Sequence, residues 1–170
     1  MEGGFVKVWV YRIFLIICIA ITLGFILYNS TRTAEQSSKV SSAVTEKVVG
    51  VVAPEIENLE ESKKVVEMRE FNFLIRDLAH LLEFVALAFF VGLLAFTVKF
   101  RYGRYSIPLV VVTLGCFLFA VCDEVIQGLF DGRATQVLDI AYDSLGAVIG
   151  LLIACVVDFI GLCVVKRKRD

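Results

Sequence analysis

Four apolar runs constrain this chain more than any other feature: Val8–Tyr28, Ala79–Phe100, Ile107–Gln127 and Ile140–Val165. A helix rises 1.5 Å per residue and needs roughly 20 mainly apolar residues to cross about 30 Å of hydrocarbon. Each run is therefore long enough to span a bilayer, and the last is long enough to tilt or project beyond it. The composition agrees. AVILMFWYC make up 58% of the 170 residues and mean hydropathy is +0.81, an excess that argues against a soluble domain. The expected fold is all-α, a single domain over 1–170 built as a four-helix transmembrane bundle.

The first run opens like a signal peptide, with Lys7 and Arg12 ahead of an apolar core, but no A-x-A site follows Leu27 and its length is that of a span. It is read as a retained helix, with Trp9, Tyr11 and Tyr28 at the two interfaces where amphipathic rings settle.

Orientation follows from the basic residues, which concentrate on cytoplasmic flanks. Lys99, Arg101 and Arg104 fill the short link between the second and third runs, and Lys166-Arg167-Lys168-Arg169 follows the fourth. An even number of spans returns Lys7 and Arg12 to the same side. Both termini are thus expected in the cytoplasm, in a multi-pass protein of the cytoplasmic membrane. The segment 29–77 then lies outside; it holds seven Lys/Arg but also nine acids. Its Ser/Thr-rich opening, Val40, Val44 and Val48 at four-residue spacing, and Pro54 ahead of Glu55–Lys64 predict short amphipathic helices at the outer face.

Several function classes drop out. A net charge of −1 leaves no basic field for nucleic acid. Five Cys, three of them inside apolar runs, do not form a secreted disulfide framework, and one His argues against a Cys/His zinc site. The lipid bilayer is the expected partner. Transport would require copies to assemble into an oligomer, since four helices in a chain this small enclose no path.

The informative residues are ionisable ones gathered at one depth. Arg76, Asp77, His80 and Glu83 stand at the expected outer start of the second helix, and i, i+4, i+7 spacing puts Arg76, His80 and Glu83 on one face. Asp123, Glu124 and Gln127 end the third helix. Arg133 lies in the connection 128–134, and Asp139 and Asp143 stack at the start of the fourth helix. A charge at the bilayer centre costs about 2.5–3.5 kcal/mol on insertion scales, so such groups should pair and face the bundle interior. A polar pocket open to the outside satisfies this, and Gly146 and Gly150 let a neighbouring helix approach closely.

Each residue has a structural and a chemical reading. His80 is either hydrogen-bonded to Asp77 or Glu83, or a proton carrier working with Glu83, Asp123 or Glu124 as candidate acid–base groups. Acids at a helix C-terminus oppose its dipole, so Asp123 and Glu124 are poor caps and better site residues. Arg133 is a counter-ion for the acids or a clamp for a phosphate or carboxylate. Arg76, Gln127, Arg133, Asp139 and Asp143 make up the expected ligand-binding set. Asp123, Glu124, Asp139 and Asp143 are oxygen donors of a kind a divalent cation takes, but no spacing fixes a geometry, and no metal or cofactor is expected. Asp158 is expected to snorkel or pair with the basic tail near Lys166.

The run Asp123-Glu124-x-x-Gln127 to Arg133, then Asp139, Asp143, Gly146 and Gly150, resembles the signature of VanZ-like membrane proteins. Arg76-x-x-x-His80-x-x-Glu83-Phe84 is similar to that family's His block, and Tyr28-Asn29-Ser30 with Ser37, Ser38 and Ser41 resembles its serine-rich exit from the first helix. Asp143 departs from the Asn that many relatives carry. The resemblance implies a protein of the Gram-positive envelope, contributing to resistance to the glycopeptide teicoplanin, with a lipid-linked or lipidated ligand at the outer leaflet. It implies no settled reaction. The alternative is a membrane-embedded acid–base enzyme acting on a lipid-linked or phosphorylated headgroup, although no Ser or Cys nucleophile motif or phosphate-binding Gly loop is present.

Overall fold

The computed structural model describes residues 2–98 and 104–167. Lys99, Phe100 and Arg101 of the second link, and Lys168 and Arg169 of the tail, lie outside the described residues; for Lys7 and Lys166 only the backbone is described. Among the described residues there is no strand. The order is α1 (Glu2–Ser30), α2 (Ala34–Val52), a 3-10 helix Pro54–Asn58, α3 (Glu61–Phe96), α4 (Ser106–Gln127) and α5 (Val137–Arg167). Helices α1, α3, α4 and α5 each carry a stretch long and apolar enough to cross a membrane, so the fold is the all-α bundle that the four runs require.

Helix α3 differs from its sequence expectation. The apolar run from Ala79 is only the far half of a helix that starts at Glu61, so Arg76 and Asp77 lie inside a continuous helix rather than at its start. The reason is local: residues 61–78 are mostly good helix formers with no Gly or Pro. At 36 residues α3 is about 54 Å long, well beyond what the hydrocarbon needs. Its charged first half pairs with α2 in a helical hairpin closed by Pro54 at the start of the 3-10 helix, with Val49, Ala53 and Ile56 packed on Met68 and Phe71.

Helix α2 begins at a capping box, in which Thr33 accepts from the Gln36 backbone and the Gln36 side chain accepts from the Thr33 N–H. Its buried residues are Thr45 and Val49. Val40 and Val44 of the expected apolar stripe stay exposed, because the hairpin turns Thr45 toward Asn72 of α3, with Oγ1 3.3 Å from Oδ1.

The bundle closes most tightly between α3 and α5. A Cβ at Gly146 would run into the Leu81 carbonyl, and one at Gly150 into that of Val85. Below this seam Leu15, Leu93, Phe96, Val112 and Leu151 build the main apolar core. At that end of the bundle Arg12 of α1 donates to the Thr97 hydroxyl and carbonyl at 3.0 and 2.9 Å. Arg104, just before α4, holds Asp158 of α5 through two 2.8 Å bonds, and Tyr105 adds a third at 2.9 Å. Asp158 thus pairs with the start of α4, where the Arg104 fork meets both carboxylate oxygens; the Lys166 side chain expected near it lies outside the described residues. These contacts put the early part of α1 and the late part of α5 at the same end. The other end is polar.

Candidate functional site

All four long helices bring polar groups to this second end. Helix α1 delivers Asn29 and Ser30; α3 Arg76, His80 and Glu83; α4 Asp123, Glu124 and Gln127; the connection to α5 Arg133 and Gln136; and α5 Asp139 and Asp143. Asp123 is fully buried, and both of its oxygens are held: the Ser30 hydroxyl donates to Oδ1, and Gln127 Nε2 donates to Oδ2 at 2.8 Å. Asn29 Nδ2 donates to Glu83 Oε1 at 2.7 Å. Arg76 Nη2 lies 3.4 Å from Asp139 Oδ2. His80 Nδ1 stands 3.8 Å from Asp143 Oδ1, too far for a hydrogen bond.

Glu124 sits in the last turn of α4, where a carboxylate opposes the helix dipole. The fold offsets this by placing it against the start of the next helix, where Glu124 Oε1 accepts from the Gln136 N–H one residue before α5. Arg133 does the reverse for α1. Its Nη1 donates to the Asn29 and Ser30 carbonyls at 3.0 and 3.3 Å, and its Nη2 reaches Ser37 Oγ at 3.5 Å. A cation thus caps a helix C-terminus. Burial and the nearby Arg76 pull the Arg133 guanidinium below its ordinary range.

The nine site residues picked out from sequence all meet here, but the pairings differ from expectation. Arg133 spends its donors on backbone carbonyls, so the partner of Asp139 is Arg76. His80 faces Asp143 across the α3–α5 seam, and not Asp77 or Glu83 on its own helix, while Asn29 holds one oxygen of Glu83. Left buried without a partner are Arg76 Nε, His80 Nδ1, Glu83 Oε2, Glu124 Oε2 and both oxygens of Asp143.

Two clefts open onto the cluster from the α2 side. One, of about 380 Å³, is lined by Ser37, Ser38 and Ser41 of α2, Arg69, Asn72 and Arg76 of α3, and Arg133, Gln136 and Asp139. The other, of about 180 Å³, shares Ser37, Ser41, Arg76 and Arg133 and reaches Asn29, Arg32, His80 and Glu83. Sequence reasoning left out Arg69 and Asn72, though 69, 72, 76, 80 and 83 follow one helical stripe. Gln136 carried no signal, because its contact with Glu124 uses only the backbone.

Fold and site together define an all-helical, multi-pass membrane protein with a buried charged cluster at one end of its bundle. The chain belongs to the VanZ/LLP1 family, whose model matches residues 10–158. No curated protein and no solved structure matches it.

Proposed function

We propose that the chain lies in the cytoplasmic membrane with both termini inside and its polar end at the outer face. There the larger cleft takes an anionic, lipid-linked or lipidated headgroup, and the protein contributes to glycopeptide (teicoplanin) resistance or envelope homeostasis. The observation that carries this reading is Arg76, which lines both clefts, shares the larger with Arg69, Ser37, Ser38 and Ser41, and has an Nε left without a partner. Guanidinium groups beside serine side chains at a cleft wall suit a phosphate or carboxylate. Arg69 and Arg76, rather than the occupied Arg133, would make the anion contact. Lys99, Arg101, Arg104 and the basic tail favour the orientation.

The alternative is acid–base chemistry on such a headgroup. It is favoured by His80 and Asp143 standing side by side, both buried, with their facing atoms free. One set of strains in a sensitised Gram-positive host tests both readings, with membrane abundance measured alongside. A Cys introduced at Ser38 of a cysteine-free variant should label from outside. Arg69→Gln and Arg76→Gln should lower teicoplanin resistance toward that of cells lacking the protein. Retained resistance in both at normal abundance would remove the anion reading. If His80→Gln keeps full resistance, the acid–base reading goes.

A further inference from the structure

We propose that His80, Asp123 and Asp143 hold one divalent transition-metal ion at the polar end of the bundle. The three side chains come from α3, α4 and α5, and each offers a donor atom within 4.8 Å of the other two. They are 6%, 0% and 0% exposed. Donors sharing a zinc-like ion at about 2.0–2.2 Å lie roughly 3–4 Å apart, a spacing the cluster reaches by drawing its side chains inward.

The unsatisfied atoms point to a cation and not to a hydrogen-bond network. His80 Nδ1 and both Asp143 oxygens are buried with no partner, and a buried carboxylate without donors is costly. Neither arginine relieves it. Arg133 is committed to the Asn29 and Ser30 carbonyls, and Arg76 lies against Asp139. Two carboxylates balance a divalent charge, and one imidazole with two carboxylates suits Zn, Mn or Fe better than Ca or Mg. Asp123 is already oriented by Ser30 and Gln127, as metal-ligating carboxylates commonly are. His80 also lines the smaller cleft, which gives the ion a route in and an open position toward a ligand. The assignment does not depend on the headgroup reading.

The test uses the full chain, purified in neutral detergent, stripped with chelator and titrated with Co²⁺, Mn²⁺ or Zn²⁺ alone. About one ion per chain should bind, Co²⁺ should give the ligand-field bands of N/O coordination, and the ion should raise the melting temperature by mass action. His80→Gln and Asp143→Asn should abolish the bands, and Gln127→Ala should weaken binding by about 10–100-fold. Arg69→Gln, outside the ligand set, should bind metal as the unmodified chain does, so failure of the anion cleft and failure of the metal site read out separately. No stoichiometric binding and no melting shift in the unmodified chain would overturn the proposal, whether or not the variants fold. So would unchanged Co²⁺ bands in folded His80→Gln and Asp143→Asn.

Discussion

At the residue scale three helices bury ionisable groups against one another: His80 of α3, Asp123 of α4 and Asp143 of α5. His80, Asp123 and Asp143 stood out because ionisable groups in apolar runs are expensive. Sequence separation says nothing, however, about which donor meets which acceptor across three helices. Arg133 reads from sequence as a counter-ion for the acids, yet it serves the end of α1, and Asp139 takes Arg76. Removing one member of a fully buried pair costs about 3–5 kcal/mol, and the cost should be smaller here because the Arg76 side chain is 27% exposed. Arg76→Ala should lower thermal stability in detergent, and adding Asp139→Asn should restore part of the loss. Equal melting of the unmodified chain and both variants would show that the pair carries no stability.

At the scale of elements the four long helices were legible because a span-length apolar run has few other solutions. The length of α3 was not. Its first half is charged and reads as a surface segment until α2 is folded against it. The spacing of Gly146 and Gly150 marks a close-approach seam in the sequence, and the α3 carbonyls of Leu81 and Val85 occupy the space that side chains would need. Gly150→Ala should therefore destabilise the bundle by about 1–3 kcal/mol through overpacking against rigid backbone. Gly24 of α1, with nothing near its missing Cβ, supplies the contrast. Gly24→Ala should be neutral or stabilising by up to about 1 kcal/mol, from helix propensity alone. Melting temperatures of the two variants in one detergent decide this, and equal effects would contradict the seam.

At the scale of the whole molecule the chain has two unlike ends. One is tied by Arg12 to Thr97 and by Arg104 to Asp158; the other collects the buried acids beneath the α2–α3 hairpin and its serine and arginine walls. The anionic headgroup proposed above would bind at this second end. Native mass spectrometry tests it on chains released from bilayers of mixed phosphatidylglycerol and phosphatidylcholine. The unmodified chain should retain phosphatidylglycerol selectively, and Arg69→Gln and Arg76→Gln should lose that selectivity while keeping their fold. Equal retention of the two lipids by the unmodified chain, or undiminished selectivity in both variants, would contradict the account.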